Sequence, residues 1–265
     1  MADLNCALVY HDVVAERDRD TVGFGGNVAG IYKLTPERFE AHLDALAATG
    51  LRFGLGEVGT QAMLTFDDGG GSSLWVAAEL ERRGWRGAFF IITSRIGTPG
   101  FLDAAGVREL HARGHEVGSH SHTHPSYMGR LSSTALAEEW NLSRTVLAEL
   151  LGSPPRSAAV PGGSVSAAVV EQAVRAGYQR LFTSTPGTRA REHTGMRVLG
   201  RYTIWANDTP ELAAALASGA FVARARRWLG WQIKSAAKRL SPAVYEAMRS
   251  VRAGRRASQP QDDSI

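Results

Sequence analysis

Short apolar runs alternate with amphipathic stretches from the N-terminal region to Ile204. The runs Ala7–Tyr10, Met63–Phe66, Ala88–Ile92, Glu116–Ser119, Ala158–Pro161, Arg180–Thr183 and Val198–Ile204 predict seven strands. Helical spacing fills most of the gaps. Thr35 can cap a helix that Pro36 starts, with Phe39, Leu43 and Leu46 on one face before Gly50. Ser73–Arg83, Asp103–Arg113, Ser133–Leu151, Ser166–Ala176 and Pro210–Ser218 read as helices, each followed by a glycine. Strands separated largely by helices predict an α/β fold with a parallel sheet, either doubly wound or closed as a barrel. In both, chemistry collects at the C-terminal ends of the strands.

From Phe221 onward the pattern changes. Val222 to Lys234 is basic and aromatic with helical spacing, and Ser241-Pro242 opens a second helix from Ala243 to about Ala253. The expected organisation is a main domain over 1–220, a basic amphipathic helical extension over 221–257 and a disordered tail over 258–265.

Charge follows the same division. The whole chain carries +4, yet 222–256 holds ten Lys/Arg against Glu246 alone, so the preceding body is slightly acidic. A nucleic-acid protein would carry its basic patch on the folded body, so no nucleic-acid partner is expected. The 265 residues, 44% hydrophobic and 21% charged, can bury a sizeable core and exclude disordered and fibrous classes. Cys6 is the single cysteine, which excludes an internal disulfide. The first residues have no basic-then-apolar leader and no run is long enough to span a bilayer. The expected location is the cytoplasm, with peripheral contact at the inner face of the membrane as a further expectation.

Two motifs carry chemistry. Thr65-Phe66-Asp67-Asp68-Gly69-Gly70-Gly71 ends the second strand with paired carboxylates and a glycine run that can turn tightly around a ligand. A plain polar turn is the bland reading of that motif alone. Gly118-Ser119-His120-Ser121-His122-Thr123-His124-Pro125 ends the fourth strand. Imidazole is a common zinc ligand, and three histidines in five residues point to metal binding. In an extended strand 120, 122 and 124 share a face. If the chain turns at Ser121–Thr123, His120 and His124 converge instead. One carboxylate and two imidazoles would leave a metal with an open position, and the adjacent aspartate free as general base.

Together the motifs resemble those of the polysaccharide deacetylase family, the NodB-homology group of carbohydrate esterases. Thr65-Phe66-Asp67-Asp68-Gly69 is similar to its first motif, and His120 to His124 to its second, His-Ser/Thr-x-x-His. The resemblance covers roughly residues 5–205 and implies a distorted (β/α)7 barrel, here with a C-terminal helical extension. It implies Asp67 as catalytic base and Asp68, His120 and His124 as ligands of Zn²⁺ or of Co²⁺, Mn²⁺ or Ni²⁺. Ala7-Leu8-Val9-Tyr10-His11-Asp12 and the stretch from Lys33 to Glu40 resemble the circularly permuted branch of exopolysaccharide deacetylases. In that branch the acid histidine comes from the first strand, which implies His11.

The chain departs from the family at the third motif. Arg-Pro-Pro-Tyr-Gly is replaced by Ala159-Val160-Pro161-Gly162-Gly163. The N–H of Gly162 remains to hold an oxyanion, but Ala159 cannot orient the base, and Arg201 on the last strand is the candidate replacement. The resemblance therefore implies hydrolysis of an acetyl or formyl group from an N-acylated amino sugar, in a polysaccharide or in a lipid- or nucleotide-linked precursor. The alternative is a catalytically impaired, metal-bound sugar-binding or scaffold protein, which the loss of that arginine favours. An amidohydrolase-like use of the histidine pair would need further ligands on later strands, and no such series follows. For 222–256 three readings stand: peripheral membrane contact, packing on the barrel, or a partner helix.

Overall fold

The computed structural model describes residues 6–240. The expected helix near Ala243–Ala253 and the tail 258–265 lie outside the described residues. Among the described residues nine short strands form one sheet. They are β1 (Cys6–Tyr10), β2 (Ala62–Phe66), β3 (Ala88–Ile91), β4 (Glu116–Ser119), β5 (Ser157–Ala159), β6 (Arg180–Phe182), β7 (Arg191–His193), β8 (Met196–Leu199) and β9 (Tyr202–Thr203). The helices are α1 (Asn27–Gly30), α2 (Pro36–Ala47), α3 (Ser73–Glu81), α4 (Ala104–Ala112), α5 (Ser133–Leu151), α6 (Ala167–Arg175), α7 (Pro210–Ser218) and α8 (Phe221–Leu240). The cap expected at Thr35 forms, and Asp103, Ser132, Ser166 and Thr209 likewise each accept a backbone N–H of the first turn.

The sheet order is β7-β8-β6-β5-β4-β3-β2-β1-β9, and all pairs are parallel except β7–β8. This is the distorted barrel that the motifs implied. Two details differ from the expected seven strands. The polar hairpin strand β7 is fully exposed and has no apolar alternation to reveal it. The expected strand Val198–Ile204 is broken in two. Its first half pairs with β6 and its second half with β1, at opposite ends of the sheet.

One straight strand cannot serve both ends, so the chain crosses the barrel's seam at Gly200 and Arg201. A Cβ on Gly200 would lie 2.4 Å from the carbonyl oxygen of Thr185, closer than real atoms approach. Glycine therefore lets the crossing segment lie against the 183–187 loop, where Arg201 N–H donates to that same carbonyl.

The pleat sorts the strand residues into two layers. Cys6, Leu8, Tyr10, Leu64, Phe66, Phe89 and Ile91 face the helices and form the large core with Phe39, Leu43 and Leu80. Ala7, Met63, Ala88, Phe90, Ala159, Phe182 and Leu199 face inward and fill the barrel. That inner cluster is small, and its upper end carries the polar groups described next.

Candidate metal centre and active site

The aspartate pair stands directly after β2. Asp67 N–H continues the ladder by donating to Tyr10 O, which fixes its carboxylate over the barrel interior. Asp68 then adopts φ 77°. The histidine loop after β4 is strained in the same way, with Ser121 at φ 63° and His124 at φ 61°. Three of the four non-glycine positive-φ residues among those described thus lie in the two motif loops, the kind of strain that persists only where neighbours over-determine it.

Those neighbours are visible. Ser119 Oγ accepts Ser121 N–H, and Ser121 Oγ accepts His124 N–H. Glu139 on α5 takes both His122 N–H and Thr123 N–H at 2.8 Å and also binds the Thr123 hydroxyl. The loop therefore turns, as one of the two expected geometries required. His122 swings away to Thr93 Oγ1, while His120 and His124 converge with ring centroids 5.0 Å apart.

The converging atoms suit a metal. His120 Nε2 and His124 Nε2 lie 3.4 and 3.5 Å from Asp68 Oδ1. All three ligand atoms fall within 4.8 Å of one another. Tetrahedral coordination at about 2.0–2.1 Å sets neighbouring ligands about 3.3–3.4 Å apart, which the two distances from Asp68 Oδ1 already approach. His120 Nδ1–H donates to Ala159 O at 2.9 Å, which fixes the tautomer and leaves Nε2 as a lone pair. Asp68 Oδ1 is buried with no hydrogen-bond partner. A buried carboxylate oxygen facing two imidazole lone pairs is what a cation would satisfy.

Electrostatics separate the two carboxylates. Asp67 is buried, which disfavours its charge, but the Arg201 guanidinium, with help from His120 and His11, overrides burial and holds it at about 2. The pairing is bidentate, Arg201 Nη1–Asp67 Oδ1 at 2.6 Å and Nη2–Asp67 Oδ2 at 2.8 Å. Asp68 has burial and the neighbouring charges of Asp67 and Asp12 against it and is pushed up to about 7. Burial holds His120 neutral down to about 3 and lowers His124 as well.

Arg201 is itself buried, with every polar contact inward. It also donates to Thr183 O and Thr65 Oγ1 and lies over the rings of Phe90 and Phe182. The residue facing Ala159 in the sequence argument is thus matched by a guanidinium from the seam.

His11 follows β1 and borders the same cavity, its ring stacked 4.7 Å from Tyr32. Its Nδ1 is buried with no partner. Burial lowers its pKa, and Asp68 and Asp67 work in the opposite direction. Asp12 follows His11 in the loop after β1. It is buried and accepts from Ser72 Oγ at 2.9 Å, beside Gly70, where a Cβ would overlap its carboxylate. Part of the glycine run therefore makes room for Asp12. Lys33, also buried, donates to Arg19 O and Val22 O and ties down the loop between β1 and α2.

The cavity measures about 340 Å³. Asp67, Asp68, His120, His124, His11 and Gly162 all line it, so all six expected site residues meet in one place. Gly162 has φ 58° in the turn after β5. Sequence reasoning missed the walls: Phe24, Val28 and Tyr32 from the β1–α2 loop, Tyr127, and Lys234 from α8. Phe24 sits 5.2 Å from the His124 ring and packs edge-on to Phe101, under Arg95. Apolar residues at 24, 28 and 32 recur at helical spacing and were a readable signal, although only Asn27–Gly30 is helical.

The polysaccharide deacetylase family model matches residues 58–181, a segment containing both motifs. No curated protein sequence matches the chain. Several solved structures share its fold. A polysaccharide deacetylase from Bacillus cereus superposes with TM-score 0.68 at 22% identity, covering 80% of this chain and 68% of that one. IcaB from Ammonifex degensii gives 0.68 at 22% identity over 83% and 99% of the two chains. The deacetylase PplD of Streptococcus pyogenes, solved with acetate, gives 0.64 at 20% identity over 78% and 94%. The segment 58–181 is thus similar to the polysaccharide deacetylase family, and the described chain folds around it as a NodB-type barrel with its aspartates and histidines gathered at one cavity.

Proposed function

We propose that the protein is a metal-dependent deacylase that removes an acetyl or formyl group from an N-acylated amino sugar of a polysaccharide or its lipid- or nucleotide-linked precursor. The observation that carries this reading is the division of labour between adjacent carboxylates: Asp67 is held ionised by Arg201, and Asp68 faces two neutral imidazoles.

Asp68, His120 and His124 would hold the ion, Zn²⁺ or Co²⁺, Mn²⁺ or Ni²⁺. When bound, such an ion polarises the acyl carbonyl and lowers the pKa of water toward ~7. Asp67 accepts the proton of the attacking water, and its pairing with Arg201 aims the carboxylate and keeps it unprotonated. The N–H of Gly162 donates to the developing oxyanion. His11 gives a proton to the leaving nitrogen, so that the C–N bond breaks to a free amine and a carboxylate. For that step His11 must be protonated; burial lowers its pKa, and the Asp68 and Asp67 carboxylates partly offset that shift. The ground for a binding-only protein is the missing arginine at 159; the pairing of Arg201 with Asp67 supports the hydrolase reading against it.

The test is release of acetate or formate from N-acylated glucosamine oligomers by metal-loaded protein, measured for the natural chain and for Asp67→Asn. Turnover lost with metal content unchanged is the expected result. Turnover retained by Asp67→Asn takes the base role from Asp67.

A further inference from the structure

Helix α8 has two faces with different tasks. Its inner face, at 223, 224, 227, 231 and 234, recurs at helical spacing. Ala223 packs against the main core, and Arg224 donates to Leu216 O and Ala217 O at the end of α7 and lies over Tyr202. Arg227 pairs with Asp208 at 2.6 Å and covers Trp205. Two turns on, Lys234 lines the cavity. The inner face therefore fixes the helix on the barrel and forms one wall of the active site.

The outer face does no such work. Val222, Arg226, Leu229 and Ile233 lie along it, with Phe221 and Trp228 on its flank, and Leu229 and Ile233 are each 57% exposed. Five of the eight exposed large hydrophobics among the described residues fall on this one helix. Apolar side chains scattered singly need no explanation, but a stripe of three with two exposed aromatics on its flank does. The helix also has no acidic residue, so it cannot build the alternating ion pairs of an ordinary solvated helix. Its Lys and Arg continue into 241–256, where Glu246 is the sole acid. Aromatic and aliphatic side chains at one level, with only positive charge around them, complement an anionic lipid surface rather than a protein surface of mixed sign.

We infer that α8 docks the protein on an anionic lipid bilayer through Val222, Trp228, Leu229 and Ile233, and so holds the mouth of the cavity beside that surface. Among the described residues no helix is long and apolar enough to cross a membrane, so the contact is interfacial. Where the proposed deacylase reading holds, on which this step rests, the substrate is an N-acyl amino sugar carried on a lipid. Lys234 then links the two roles, since it stands in the cavity wall on the docking helix.

The experiment is flotation of the full chain with vesicles of phosphatidylglycerol and phosphatidylethanolamine, set beside pure phosphatidylcholine vesicles. The natural chain and Leu229→Glu/Ile233→Glu are compared. Both substituted side chains are exposed, and an unchanged Tm shows that the variant is folded. Binding to anionic vesicles only, weakened more than tenfold in the variant and by 1 M salt, supports the inference. No flotation, or equal flotation of both proteins, overturns it. So does a self-association that the same substitutions abolish in the absence of vesicle binding, which would assign the face to a second copy. Flotation needs no turnover, so it answers even if deacylation is never found. Hydrolysis of an N-acetylglucosaminyl lipid in the same vesicles, reduced more than tenfold in the variant while soluble oligomers are turned over as before, would fix the substrate class. Equal loss on both substrates, or loss on neither, overturns the lipid-borne substrate.

Discussion

Arg201→Met is the sharpest perturbation of this molecule. The substitution keeps length and apolar stem but removes the charge that faces Asp67. In the natural chain, holding that carboxyl at about 2 instead of its ordinary 3.8 contributes about 2 kcal/mol of stability at neutral pH. Without the guanidinium, only His120 and His11 oppose burial and the neighbouring Asp68, and the folded-state pKa should rise above the ordinary value. If the carboxyl stays neutral at pH 7, taking up that proton costs about 4 kcal/mol, which sets a ceiling on this half of the effect. The expected loss at pH 7 lies between about 2 and about 6 kcal/mol, in line with breaking other buried pairs. The sign with pH is diagnostic. A depressed pKa stabilises above the unfolded value and is lost as pH falls through about 2. A raised one destabilises as pH climbs from about 4 toward the new value. The gap in Tm between variant and natural chain should therefore widen from pH 4 to pH 7, and Asp67→Asn/Arg201→Met should recover much of it. In metal-loaded protein the acid limb of the rate profile should move upward, while Arg201→Lys restores part of the rate. A gap independent of pH, with an unmoved acid limb, would refute the argument that Arg201 keeps Asp67 ionised.

Other consequences can be checked separately. His120→Ala/His124→Ala should lose the approximately one equivalent of metal expected on coordination grounds, by elemental analysis after reconstitution. Metal competes with the proton on Asp68, whose pKa of about 7 reflects burial and its acidic neighbours. Calorimetric titration should therefore show affinity rising about tenfold per pH unit below 7 and levelling above it. By the same sign, metal-free protein should lose stability as pH rises from about 4 to 7, and added metal should reverse that loss. Glu139→Ala frees two N–H groups of a strained turn, and metal affinity should fall about 10–100-fold with little change elsewhere. Gly200→Ala forces a Cβ onto the Thr185 carbonyl, which should cost about 1–3 kcal/mol or more by thermal unfolding.

The strands, the capped helices and the metal loop were legible because each rests on local signals. Thr35-Pro36 starts a helix wherever it lies, and histidines at 120 and 124 can meet only if the chain turns between them. Three features were not legible. The exposed hairpin strand β7 has no apolar period to detect. The run Val198–Ile204 reads as one strand because its break depends on where β1 and β6 lie, which no local window contains. The cavity walls are non-local for the same reason: Lys234 joins His11 only after α8 has docked. Asp12 was no more legible: a polar residue after a strand carries no local sign of burial, and only the approach of Ser72 and Gly70 reveals it.

The seam has a consequence for how the molecule assembles. β1 gains its second neighbour, and Asp67 its counter-charge, only from residues 201–203, separated from Asp67 by 134 positions along the chain. Closing a loop of that length is slow compared with forming the hairpins and helices inside it. A chain that has folded as far as β6 therefore holds an aspartate pair without its guanidinium, on a sheet whose first edge is still open. Barrel closure, burial of the Arg201 charge and its pairing with the Asp67 carboxylate then become a single event. Seen from the folded side, opening of the β1–β9 edge that frees Asp67 from Arg201 takes up a proton only below about pH 4, so strong acid should favour release of the strand that arrived last.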